Sequence, residues 1–189
     1  MKNDPNYIEG FVEKTLIDDL YIINKKLFTD ERGSFREALK LSTLEETIGT
    51  KFSVRTWNYA VSNPNVLRGI HSETCSKLIF PFSGAGYIAF VDLRPKSKTF
   101  GKYLGFNIKA PHEFSYFKAE GIGIGVLCTG ELPLSFSYLM DKEYSDLKQQ
   151  GLMWNDPDVK IPWPVSNPIL SERDKTNPTL RQLFPEEFK

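Results

Sequence analysis

The chain has 189 residues, 40% of them hydrophobic and 13% aromatic, and its 24 Lys and Arg balance 24 Asp and Glu to a formal net charge of zero. That length suits one domain with a sizeable core, and the lack of a basic excess or basic cluster argues against nucleic acid as a partner. No apolar run is long enough for a membrane span, no signal-like segment is read at the start, and the two cysteines, Cys75 and Cys128, allow one bridge at most, so a cytoplasmic protein is expected.

Residues 1–20 mix charges with Ile8, Phe11, Leu16 and Ile17 without a clean period and read as an arm leading into a strand. Residues 20–23 and 26–28 look strand-like, and Asp30-Glu31-Arg32-Gly33 is a turn signal before Ser34-Phe35-Arg36-Glu37. Leu39, Leu41, Leu44 and Ile48, set among polar residues, predict one short helix over 42–49. Short strands are then predicted at 52–60, 77–82, 86–93, 103–108, 114–117, 122–127 and 134–139, separated by Gly, Pro, Asn and Ser. This close spacing is that of an antiparallel sandwich or barrel, and without alternating helices a parallel nucleotide-binding sheet is disfavoured. After Asp141 the pattern turns polar and helical to Gln150, and the Trp- and Pro-rich tail is expected to wrap back onto the sandwich, since its tryptophans need a surface to lie on.

The segment Asn65-Val66-Leu67-Arg68-Gly69-Ile70-His71, followed shortly by Lys77-Leu78-Ile79, gathers a guanidinium, an imidazole and an ammonium. Side chains alternate along a strand, so Arg68 and His71 share a face only if the strand ends or bulges near Gly69. Such a bulge brings a fixed positive charge and a titratable base to one cavity. Three other chemistries fare worse. Gly121-Ile122-Gly123-Ile124-Gly125-Val126 resembles a phosphate loop, but Cys128-Thr129-Gly130 and Pro133 follow in place of a helix, so a glycine-spaced strand is expected. A metal centre has only His71 and His112 to draw on, neither in a His-x-His pair, and Glu73 joined to His71 gives two ligands, which seldom make a site. Cys75 is read as well as a small apolar filler as a nucleophile. General acid–base chemistry with His71 as base needs a carboxylate to hold its tautomer, which Asp174 supplies if the tail folds back.

Five segments in order carry a resemblance: residues 28–35, Val66-Leu67-Arg68-Gly69-Ile70-His71, residues 91–101, Gly151-Leu152-Met153-Trp154-Asn155-Asp156-Pro157, and Ile169-Leu170-Ser171-Glu172-Arg173-Asp174. Together they resemble the dTDP-4-dehydrorhamnose 3,5-epimerases, metal-free members of the cupin superfamily. The resemblance implies an all-β, cupin-like jelly-roll sandwich with a few short helices. It further implies a single domain over 1–189 that needs no cofactor, working as a homodimer with exchanged N-terminal arms. The substrate implied is a nucleotide-diphosphate 4-keto-6-deoxy sugar of deoxysugar biosynthesis, with dTDP, GDP or CDP as the nucleotide. Mapped by motif, His71 is the base and Asp174 its partner, Lys77 stabilises the enolate oxygen, and Tyr138 is the acid on the opposite face. Arg68 then contacts diphosphate or sugar, while Arg32, Glu37 and Asn58 line the nucleotide site, some of them from the partner subunit.

Two departures redirect that expectation. Ile124 stands where the family usually has a substrate-contacting histidine, and Glu73 where it tends to have an amide. A sugar other than dTDP-4-keto-6-deoxyglucose, inverted at one carbon rather than two, is therefore expected to suit the site better. The alternative is a catalytically silent sugar-nucleotide-binding or scaffold protein of the same fold.

Overall fold

A computed structural model describes residues 12–24, 26–109 and 114–189. The short apolar stretches pair into two antiparallel sheets laid face to face. The first holds six strands in the order β1 (Val12–Lys14), β2 (Leu20–Asn24), β10 (Phe114–Lys118), β7 (Lys77–Ser83), β12 (Leu134–Met140) and β5 (Thr56–Ser62). The second runs β13 (Gln149–Gly151), β6 (Leu67–Glu73), β11 (Ile122–Cys128), β8 (Ala85–Asp92) and β9 (Tyr103–Lys109). A separate hairpin joins β3 (Phe28–Asp30) to β4 (Gly33–Phe35) through the predicted turn.

Strand β8 shows why the sequence reads as an unbroken apolar run: both of its faces are covered. Ile88 and Phe90 point inward to a core shared by both sheets, with Leu20, Ile79, Tyr116, Ile122, Val126 and Phe136. The alternate residues Ala89 and Val91 face out and are roofed by the tail, through Leu152, Val159, Ile161 and Leu180. On the outer side of the first sheet, Leu44 of helix α1 (Leu41–Ile48) and Phe52 cover Tyr21, Ile23, Leu78, Phe80 and Phe117. Helix α1 stops at Gly49, whose φ of 74° is the left-handed conformation that closes a helix end.

The tail is held by polar anchors. The carboxylate of Asp156 accepts hydrogen bonds from the backbone N–H groups of Asp158, Val159 and Leu180, and Trp163 Nε1 donates to the carbonyl of Trp154 at 2.7 Å. Trp163 lies so close to β11 that a Cβ on Gly125 would sit 2.8 Å from its ring. Gly125 is thus a packing position under the tail and Gly123 one against Ile70 and Leu93, as the strand reading requires, and Ile122 and Val126 face the core.

Two expectations need correction. The strand predicted over 52–60 begins only at Thr56, because Phe52 is tied to helix α1 through its N–H to Glu45 Oε1 and packs beneath it. The polar stretch predicted as helical to Gln150 forms a 3-10 turn at Tyr144–Asp146 and then β13, which pairs with β6. That edge of β6 would otherwise be unpaired, and satisfying its backbone outweighs local helix preference. The start of the predicted N-terminal arm and His112 lie outside the described residues. No helix among the described residues is long and apolar enough to cross a membrane.

Candidate active site

Strand β6 carries the expected bulge. Ile124 of β11 pairs with His71 and Val126 with Arg68, so two steps along β11 match three along β6. The extra residue brings Arg68 and His71 into the same phase. Gly69 makes this geometry: its φ is 119°, and a Cβ there would lie 2.4 Å from the carbonyl oxygen of Ile124.

Both side chains open into a cavity of about 420 Å³ between the two sheets, which also exposes Glu73, Lys77, Ile124, Tyr138, Tyr144, Gln149, Arg173 and Asp174. The tail forms its rim. Val66 bridges to Ile169, and the short helix α2 (Glu172–Lys175), capped by Ser171, delivers Asp174. Asp174 Oδ1 lies 2.6 Å from His71 Nε2. The same carboxylate accepts from the N–H of Gly69 at 3.3 Å and from Asn177 Nδ2 at 3.3 Å. Burial pushes the Asp174 carboxyl up, but the hydrogen bond and charge of His71 outweigh it and hold the group below its ordinary value. An ionised Asp174 accepting a proton from Nε2 leaves Nδ1 as the basic nitrogen of the ring.

The opposite wall belongs to the first sheet. Lys77 opens β7, and its ammonium lies 4.7 Å from the centroid of the Tyr138 ring on β12. Lys77 Nζ also donates to Glu73 Oε1 at 2.5 Å, and the fully buried Lys118 approaches Glu73 Oε2 at 3.6 Å. Burial raises the Glu73 carboxyl, yet the charges of Lys118 and Lys77 bring it below the usual range. Burial, reinforced by the Glu73 charge, raises the Tyr138 phenol and keeps it protonated. The site therefore sets a carboxylate-backed imidazole on one sheet against an ammonium and a neutral phenol on the other.

The structure brings His71, Asp174, Lys77, Tyr138, Arg68, Glu73 and Ile124 to this cavity, all named from the sequence. Arg68 spans its mouth, donating from Nε to Ser62 Oγ and from its terminal amine to the carbonyl of Val61. Asn58 is half-buried on β5, paired in register with Tyr138, just outside the lining. Arg32 and Glu37 are not brought to the cavity of this chain: Arg32 projects from the β3–β4 hairpin and pairs with Asp30, and Glu37 is exposed beyond it. Cys75 is buried, and burial pushes its thiol up, the opposite of an activated nucleophile. Among the described residues no three His, Cys, Asp or Glu side chains gather as a metal site. Tyr144, Gln149, Arg173 and Lys118 escaped the sequence reading. For Lys118 a signal exists, because it continues the inward phase of Tyr116 on β10, where a charge is out of place.

Comparison with known proteins falls on the same elements. A sequence model of dTDP-4-dehydrorhamnose 3,5-epimerase matches residues 14–182. The chain belongs to this family. It is 36% identical over 178 residues to the dTDP-4-dehydrorhamnose 3,5-epimerase of Salmonella typhimurium, covering 92% of this chain and 97% of that one. Among solved structures it superposes on NovW, a 4-keto-6-deoxy sugar epimerase of Streptomyces spheroides, with a TM-score of 0.87 and 27% identity over 92% of this chain and 89% of that one. The 3'-monoepimerase ChmJ of Streptomyces bikiniensis, solved with dTDP-quinovose, gives a TM-score of 0.83 and 27% identity over 90% of this chain and 89% of that one. The epimerase fold expected from the motifs is thus the fold observed.

Proposed function

We propose that this member of the family epimerises a nucleotide-diphosphate-linked 4-keto-6-deoxy sugar in deoxysugar biosynthesis, by removing and returning a proton on a carbon next to the ketone. The observation that carries this reading is the His71–Asp174 pair, at 2.6 Å, opening into one cavity with Lys77 and Tyr138. His71 Nδ1 takes the proton. The electron pair moves onto the ketone oxygen, where Lys77 and neighbouring donors stabilise the enolate, the largest single contribution to such a reaction. Tyr138 delivers a proton to the opposite face of the carbon, and the ketone re-forms inverted. Asp174 stabilises the imidazolium while it exists. Arg68 meets the diphosphate or sugar at the mouth, and Ile124 and Glu73 shape the sugar pocket.

The intact base, partner, cation and acid favour catalysis over a silent binding role. Relatives that act on or bind dTDP-linked sugars support dTDP as the nucleotide, with GDP and CDP as the other members of the test. Deuterium wash-in from heavy water over a panel of dTDP-, GDP- and CDP-linked 4-keto sugars decides the question. An epimerase incorporates label next to the ketone, whereas binding without incorporation from any sugar of the panel would establish the silent alternative.

The same reading makes the protein a homodimer in which N-terminal arms are exchanged. Trp57, Tyr59 and Val61 stand exposed at alternate positions on the edge strand β5, and Phe82 contacts Tyr59, an apolar face that a second subunit would cover. In such a dimer Arg32 and Glu37 reach the partner's nucleotide site, which accounts for their distance from the cavity of their own chain. Two free, buried cysteines suit a reducing cytoplasm.

A further inference from the structure

The cluster behind the ketone-facing wall holds more charge than an ion pair needs. Lys77 and Glu73 already form a neutral pair at 2.5 Å, with 8% and 6% of their side chains exposed. Behind Glu73, away from the cavity lining, a second ammonium is buried completely: Lys118 on β10 has 0% exposure. Its Nζ donates to the carbonyl of Cys75 at 3.3 Å and lies 3.6 Å from Glu73 Oε2, an oxygen that makes no hydrogen bond among the described residues. A buried ammonium with one carbonyl partner and a carboxylate just beyond hydrogen-bond range costs more than an apolar side chain of the same length, so stability gives no reason for it.

A reason appears in the field at the substrate. A carboxylate 2.5 Å from the Lys77 ammonium cancels most of the positive potential that Lys77 projects into the cavity. Adding Lys118 on the far side of that carboxylate gives the cluster two ammoniums to one carboxylate, and a surplus positive charge remains at the wall where an enolate oxygen would develop. We propose that Lys118 is a positioning residue of the active site, which offsets Glu73 and so keeps the Lys77 charge effective toward the substrate oxygen. This rests on the epimerase reading above and goes beyond it, because Lys118 touches neither the cavity nor the substrate.

Two of the other titratable groups facing the cluster, Cys75 and Tyr138, add no charge to it near neutrality. The Cys75 thiol is pushed up by burial and the Tyr138 phenol by burial and Glu73, so both are neutral, while His71 and Asp141 stand on its borders. Burial, with the Lys77 charge added, pulls Lys118 down to about 8 against the opposing pull of Glu73. The surplus charge is then present at neutral pH and is lost in mild alkali.

The test is deuterium wash-in at saturating sugar nucleotide, run on the unmodified protein from pH 7 to 9.5 and on Lys118→Met and the double variant Glu73→Gln/Lys118→Met. Lys118→Met should lower kcat about ten- to a hundredfold with little change in KM. The double variant, which again has one uncancelled ammonium, should recover most of that loss. In the unmodified protein kcat should fall as pH rises through about 8. Thermal melting of each variant separates these effects from loss of fold, because a merely structural lysine lowers the melting point and leaves kcat of the folded fraction and its pH profile unmoved. If Lys118→Met does not fold, Lys118→Arg takes its place: its charge does not titrate in this range, so kcat should no longer fall near pH 8. Wash-in indifferent to pH and to Lys118, or a double variant no better than the single, overturns the proposal. No wash-in from any sugar at any pH means that the epimerase reading itself fails and takes this proposal with it.

Discussion

Ile124 on β11 stands directly opposite His71 on β6, so the cavity wall beside that imidazole is hydrocarbon. A sugar hydroxyl or phosphate oxygen that needs a donor at this point would be buried without one, at a cost of about 1–3 kcal/mol. The expected outcome is that dTDP-4-keto-6-deoxyglucose is a poor substrate, and that another nucleotide-linked 4-keto sugar, inverted at a single carbon, is preferred. Ile124→His should raise kcat/KM for the glucose derivative by about five- to a hundredfold. Efficient double inversion of that sugar by the unmodified protein would refute the expectation.

His71→Ala should abolish wash-in at every carbon, since His71 is the one residue proposed as the base. Tyr138→Phe removes only the proposed acid on the far face, so wash-in should remain measurable while net inversion drops by about a hundredfold. Proton NMR of the sugar during turnover reads both quantities in one experiment. Near-normal turnover by His71→Ala would show that the base is elsewhere.

Gly69→Ala should destabilise the protein by about 2 kcal/mol or more, because a Cβ would lie 2.4 Å from the Ile124 carbonyl at a φ of 119°. The bulge aligns Arg68 with His71, so activity should fall further than the lost folded fraction explains. Urea denaturation and specific activity, measured together, check the pair of effects.

Asp92 gives a pH dependence of stability that is separate from catalysis. Burial raises its carboxyl, but hydrogen bonds from Arg94, Ser97 and Thr99 bring it from 3.8 down to about 2. A depressed folded-state value means that the stabilisation is complete above about 4 and is lost as pH falls toward about 2, and its size is about 2 kcal/mol. Asp92→Asn should lower stability at pH 7 and flatten the acid limb of a melting-temperature profile in that window.

Trp57→Glu with Tyr59→Glu should convert a dimer to a monomer in light scattering at micromolar concentration, through charge placed on the exposed face of β5. A monomeric unmodified protein would remove the homodimer proposal and the role given to Arg32 and Glu37 in a partner's site.

Local information in the sequence determined the antiparallel sandwich, the helix α1 and the strand character of the Gly121–Val126 stretch, because alternation, turn residues and helix stops act within a few neighbours. Even the bulge at Gly69 was legible, since a glycine between Arg68 and His71 is the least costly way to bring both to one face. Tertiary structure decided what depends on surfaces meeting. The 2.6 Å contact of His71 and Asp174 exists because the tail, anchored by Asp156 and Trp163, runs back along β6 across 103 residues of chain. Strand β13 replaced a helix-like polar stretch because the edge of β6 needed a partner. The Lys77–Glu73–Lys118 cluster joins strands from both sheets, and no spacing along the chain reveals that a lysine at the end of β10 ends within 3.6 Å of a glutamate on β6. Charge in a buried site is set by what packs around it, and packing is a property of the folded chain.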